Sequence, residues 1–166
     1  VTILDPKKLT AASVTRTPLD TVMAYIAAYN EADDQGMWEL MAPDFTRAGA
    51  SSNWQRMGRD MYQDMVQRWN KGFDDTNWEL IDIAVDGATV VCEFYETGTL
   101  NRPWPITDDR VVQPNGKTYR ARATVWFTVN HAGLINTYRY YTDNGFEQAY
   151  RDEIKASGVG DLKTPV

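Results

Sequence analysis

The sequence predicts an α+β domain in which N-terminal helices pack on a strongly curved antiparallel sheet around an internal apolar pocket. Three observations predict it. Apolar residues recur at helical spacing through the first half of the chain and alternate with period two through the second. Six Trp, nine Tyr and five Phe in 166 residues add flat, stiff surface suited to packing or to enclosing an organic ligand.

This length fits one domain and buries roughly 70% of the surface that the unfolded chain exposes, so a pocket can be held open without consuming the core. The expected organisation is an N-terminal arm over 1–16, the domain over 17–150 and a polar tail over 151–166. The first helix has Thr17 as N-cap, Pro18 at its first position and Asp20 three residues after the cap. Leu19, Val22, Tyr25, Ile26 and Tyr29 form its apolar stripe. Met37 to Met41 predicts a short second helix ending before Pro43, followed by a loop through Gly49 and Trp54. A third helix is expected from Gly58 to about Lys71, with Met61, Tyr62, Met65, Val66 and Trp69 on one side.

In the second half, Asp86-Gly87 predicts a two-residue hairpin that pairs Val85 with Ala88, Ile83 with Val90, Ile81 with Cys92 and Glu79 with Phe94. Residues 101–116 read as a long lid-like loop carrying Trp104. The strand 117–129 places Tyr119, Ala121, Ala123, Val125, Phe127 and Val129 inward. After a turn at Asn130 to Gly133, a last strand runs to Asp143, with Ile135 paired to Val129 and with Thr137, Arg139, Tyr141 and Asp143 inward. Asp143 then faces Ala121, and Tyr141 faces Ala123. A turn closing one residue differently would instead set Arg120 and Arg122 against Asp143.

A net charge of −6 argues against nucleic acid and anionic membranes, which need a basic surface. No stretch approaches the ~20 apolar residues needed to span a bilayer. Cys92 is the one cysteine and His131 the one histidine, so a disulfide, a thiolate or His-rich metal site and a His-activated nucleophile are not expected. Neither a metal nor another cofactor is expected. A chain beginning at Val1 fits either a trimmed or a processed, exported product. The compartment stays open, with the cytoplasm favoured.

Tyr29-Asn30-Glu31-Ala32-Asp33, then Leu40-Met41-Ala42-Pro43-Asp44-Phe45, Gly58 opening a helix, Glu96-Thr97-Gly98-Thr99, Gly116-Lys117 and Arg139-x-Tyr141-x-Asp143 together resemble the SnoaL-like polyketide cyclases. These belong to the nuclear-transport-factor-2-like cone folds, and the resemblance spans roughly residues 18 to 150. It implies a cone closed by the helices, with Asp143 in the place of the family's acid/base aspartate. The histidine that assists it in some members has no counterpart on strand 117–129. Superfamily members act as cyclases, isomerases, dehydratases, epoxide hydrolases or binders, so fold likeness leaves the reaction open.

The expected polar site is Asp143, Tyr141, Glu96 and Arg139, with Glu96 inward unless Gly98 begins a bulge. A carboxylate in an apolar cavity loses hydration, which favours proton exchange near neutral pH. Asp143 could equally serve a turn, since Asp143-Asn144-Gly145 is a turn sequence. Walls are expected from Tyr25, Tyr29, Trp38, Met57, Met61, Met65, Trp69, Phe94 and Phe127, space from Ala121 and Ala123, and a rim from Trp54 and Trp104. Trp126, Tyr138 and Tyr140 are expected on the outer sheet face, as a homodimer patch. Three functions follow: acid/base cyclisation, isomerisation or dehydration of a hydrophobic small molecule; epoxide opening by a carboxylate–Arg–carboxylate set; or a binding or interaction module without turnover.

Overall fold

Helix α1 (Pro18–Asn30) starts where its cap chemistry places it: the Thr17 hydroxyl accepts the Asp20 N–H at 3.1 Å, and the Asp20 carboxylate accepts the Thr17 N–H at 3.3 Å. The computed structural model describes residues 16–49 and 54–158, so nearly all of the expected N-terminal arm, the loop residues 50–53 and the end of the tail lie outside the described residues. Helix α2 (Asp34–Glu39) starts earlier than expected, capped by Asp33, and Met41 already belongs to strand β1 (Met41–Gly49). Most of the segment read as a loop is therefore a strand. Its alternation of Phe45, Arg47 and Gly49 inward is hidden by Pro43, which lacks an N–H and falls where the pairing register shifts between Met41 and Thr46.

Strand β2 (Met57–Gly58) leads into α3 (Arg59–Gly72), close to the expected bounds. Strands β3 (Asn77–Asp86) and β4 (Thr89–Thr99) form the hairpin, and β5 (Trp104–Pro105) with β6 (Val111–Val112) make a small hairpin inside the expected loop. Strands β7 (Thr118–Val129) and β8 (Ile135–Thr142) follow, then helix α4 (Gly145–Ala156). The large sheet has the order β2-β1-β8-β7-β4-β3. It is mixed rather than wholly antiparallel, because β1 runs parallel to β8. Among the described residues no helix is long and apolar enough to cross a membrane.

Two bulges correct the expected registers. In the β3–β4 hairpin Asp86 pairs with Thr89, so Gly87 and Ala88 make the turn, with Gly87 at a φ of 55° that suits a residue without Cβ. Val85 pairs with Val90 and Ile83 with Cys92, and Ile81 is then an extra residue, because Leu80 pairs with Phe94. Leu80 and Trp78 turn inward there while Ile81 stays 42% exposed.

Strand β7 has the predicted inward set, and Val129 pairs with Ile135 as expected. The next pair is Thr128 with Thr137, which leaves Asn136 as an extra residue and inverts every side chain after it. Tyr138 and Tyr140 therefore point inward, and Arg139, Tyr141 and Asp143 point outward, opposite to the expectation. Burial explains the choice: Tyr138 joins the apolar cluster of Tyr25, Phe45, Tyr62 and Phe127, whereas the expected register would bury an arginine in its place.

Two apolar clusters fill the fold. The larger lies between α1, α2, α3 and the sheet, and the smaller gathers Phe73, Leu100, Trp104, Val112, Tyr119, Ala121, Tyr150 and Ile154. Residues 151–156, expected in a polar tail, continue α4, which docks on β7 through Tyr150 and Ile154.

Candidate functional site

Glu96 lies where the two clusters meet. Along β4 it follows Phe94 of the larger cluster and precedes Leu100 of the smaller, and its partner across the sheet is Ala121 on β7. The β4–β7 register is unbroken from Thr89 to Thr99, so Gly98 begins no bulge. A Cβ on Gly98 would come within 3.0 Å of the Tyr119 ring, so glycine there admits the ring.

Glu96 is 7% exposed, and both oxygens of its carboxylate accept tyrosine hydroxyls. Tyr29 of α1 donates to Oε1 at 2.8 Å, and Tyr140 of β8 donates to Oε2 at 2.6 Å. Tyr29 is aimed by its neighbour: Asn30 accepts the Trp78 N–H at 2.7 Å and donates to the Trp78 carbonyl at 3.1 Å, tying the end of α1 to β3 beside Glu96. Tyr140 is aimed by the Asn136 bulge. The buried Tyr119 hydroxyl of β7 stands near the same carboxylate, and after burial the Glu96 charge is the largest cause that raises its pKa.

Burial raises the hydroxyl pKa of Tyr29 and Tyr140 well above 10, and the Glu96 charge raises both further. They remain donors across the physiological range. Tyr29 and Tyr140 are each half-buried as residues. Ala121 and Ala123, 1% and 2% exposed, keep the sheet floor shallow beside the carboxylate.

A guanidinium lies deeper. Arg47 of β1 is 4% exposed, its Cζ 5.6 Å from the ring centres of Tyr62, Tyr138 and Tyr140. Tyr62 and Tyr25 share a hydroxyl hydrogen bond of 2.6 Å next to it. The interior thus carries a carboxylate and a guanidinium separated by tyrosines. Sequence reasoning missed Arg47 because its strand was read as a loop, and it misplaced Tyr138 and Tyr140 because one inserted residue leaves no trace in the alternation of Tyr138-Arg139-Tyr140-Tyr141.

Of the expected polar site, Glu96 is inside and the other three are outside. Asp143 is exposed and holds the turn into α4: Oδ1 accepts the Gly145 N–H at 2.9 Å and Oδ2 the Arg122 N–H at 3.2 Å. Arg120 and Arg122 share that outer face and do not enter the interior; Arg122 pairs with Glu93, and Arg120 stacks on Tyr95. Tyr141, 41% exposed, packs against Trp54 with ring centres 4.9 Å apart, and Arg139 lies over Trp126 at 5.2 Å.

Tyr25, Trp38, Phe94 and Phe127 are at most 5% exposed and fill the core. Met65 and Trp69 are half-buried on α3, and Trp69 stacks on Phe73 with ring centres 4.2 Å apart. Met57, Met65 and Trp104 line a recess that none of the expected polar residues enters, while Trp54 is 47% exposed. Burial pushes the Cys92 thiol up to about 12, so it holds its proton and serves as core.

Solved structures share this architecture. AclR of Streptomyces galilaeus, a candidate hydroxylase, aligns with a TM-score of 0.70 at 15% identity over 81% of each chain. IdmH of Streptomyces antibioticus, a candidate polyketide cyclase, aligns at 0.67 and 19% identity over 84% of this chain and 99% of that one. An NTF2-like protein of Burkholderia thailandensis aligns at 0.65 and 22% identity over 81% and 97%. These superpositions show a common fold. No curated protein sequence matches the chain. The SnoaL-like domain profile matches residues 22–138, from the first buried turn of α1 to Tyr138. The chain therefore belongs to the SnoaL-like domain family, on the NTF2-like fold.

Proposed function

We propose that the protein is an acid/base enzyme that moves a proton on a hydrophobic carbonyl compound, in a cyclisation or isomerisation of the polyketide type, with Glu96 as the base. The observation that carries this reading is the enclosed carboxylate whose two oxygens accept hydroxyls from opposite sides of the fold. In the reaction Glu96 takes a proton from carbon next to a carbonyl, and the C–H electron pair passes into an enolate. Tyr29 or Tyr140 turns its hydroxyl from Glu96, now protonated, to the enolate oxygen. The enolate carbon then attacks a second carbonyl, whose new alkoxide takes the proton back from Glu96, or Glu96 returns the proton to another carbon of a conjugated enolate. IdmH, named for cyclase chemistry, makes this class a natural choice for the fold. The epoxide-opening arrangement is not formed, because Arg139 and Asp143 stand on the sheet face opposite Glu96.

The test is deuterium incorporation from heavy water into a panel of one- to three-ring ketones, α-tetralone among them, followed by NMR. Wild type should accelerate exchange at the carbon next to the carbonyl, and Glu96→Gln should lose about a hundredfold or more of that rate while circular dichroism shows it folded under the assay conditions. Equal rates in the two proteins would remove Glu96 from the chemistry.

The outer sheet face is read as the contact with a second copy of the chain. Trp126 and Tyr141 are each 41% exposed there, with Trp54 beside them. Sedimentation should give a dimer for wild type and a monomer for Trp126→Glu; a wild-type monomer at tens of micromolar, an order-of-magnitude choice, would end this assignment.

A further inference from the structure

Helix α3, Met57 of β2 and the β5–β6 hairpin line a recess of about 160 Å³. Its apolar walls are Met57, Met61, Met65, Trp104 and Ile106. None of them comes from β4, β7 or β8, so the recess shares no wall with Glu96 and its tyrosines.

Three of the chain's six methionines line this one recess. Thioethers on unbranched side chains adapt their shape to a guest and make favourable contacts with aromatic rings. Met61 is 62% exposed, which leaves a large apolar side chain at the mouth. Trp104 is held as a fixed wall: a Cβ on Gly72 would lie 2.6 Å from the Trp104 Cβ, and the Trp104 ring meets Trp69 edge-on at 5.3 Å. Size limits the guest, since an apolar cavity of about 150 Å³ accepts a benzene-sized molecule.

Charge narrows it further. Arg68, also in the wall, bonds Asp64 of its own helix and Asp108 of the β5–β6 loop, both at 2.7 Å. Its guanidinium is thus already matched by two carboxylates, and the rim carries one net negative charge. An anionic guest would be repelled, whereas a neutral ring loses nothing there.

We propose that this recess is a binding site for a neutral aromatic group of one or two rings, separate from the Glu96 site. The assignment does not depend on the reaction proposed for Glu96.

The test uses the full chain with methyl-labelled methionine, titrated with indole and followed by NMR. The methyls of Met57, Met61 and Met65 should shift and saturate, while those of Met23, Met37 and Met41 stay in place. Indole-3-acetate should bind about tenfold more weakly or worse, and Met61→Trp, which fills the mouth, should weaken indole by at least about tenfold. The core methyls of Met37 and Met41 report that this variant is folded, since they are 1% and 2% exposed. Glu96→Gln should bind indole as wild type does. Shifts that never saturate, shifts spread over all six methyls, equal binding of the acetate, an unaffected Met61→Trp or a loss of binding in Glu96→Gln would each overturn the proposal.

Discussion

Glu96 and Asp143 show how much of a residue's chemistry depends on which face of a strand carries it. Both are carboxylates on neighbouring parts of one sheet, yet one is 7% exposed between tyrosine hydroxyls and the other is a surface turn residue. Hydrogen bonds to a charged group contribute about 1.5–3 kcal/mol each, so Tyr140→Phe should cost about 1–3 kcal/mol in urea unfolding. A loss below about 0.5 kcal/mol would show that the Tyr140 hydroxyl is satisfied elsewhere. The inward place of Glu96 was legible because β4 alternates without interruption from Val90 to Gly98. That of Asp143 was not, because a single extra residue at Asn136 inverts the strand after it, and Tyr138-Arg139-Tyr140-Tyr141 offers an aromatic to either face. The resemblance to the cyclases reinforced the same error, since it carried a role for Asp143 without its register.

At the scale of elements, the helices were legible from caps and stripes, and the strands from alternation, except where proline or a bulge intervened. The Asn136 and Ile81 bulges turn Tyr140 and Trp78 inward, which is what brings the sheet's rings around Glu96. Helix α4 was overlooked because few of its residues are apolar, and its burial rests on Phe146, Tyr150 and Ile154. Ile154 is 6% exposed against the smaller cluster, so Ile154→Ala should destabilise by about 2–4 kcal/mol. A polar tail would give no measurable change in the same denaturant titration.

For the whole molecule, the notable feature is a core that buries tyrosines as deeply as phenylalanines. Tyr25, Tyr62, Tyr119 and Tyr138 are at most 3% exposed, and burial raises the pKa of each, Arg47 opposing it at Tyr25, Tyr62 and Tyr138. Unfolding would release protons from these groups only once the pH exceeds the unfolded value of about 10. Below that the stability they confer is fully present, and above it stability falls by about 1.4 kcal/mol per pH unit for each tyrosine that stays neutral when folded. Tyrosinate absorbance and loss of circular dichroism should therefore appear together above about pH 10. Gradual ionisation of these tyrosines in a protein that remains folded would contradict their burial.

The account turns on an interior Glu96 performing the chemistry while Asp143 serves the turn into α4. The most direct test is the ketone exchange assay run on Glu96→Gln and Asp143→Asn side by side. The account predicts that Glu96→Gln loses about a hundredfold or more in rate while Asp143→Asn stays within about threefold of wild type. Exchange lost in Asp143→Asn and retained in Glu96→Gln would contradict it.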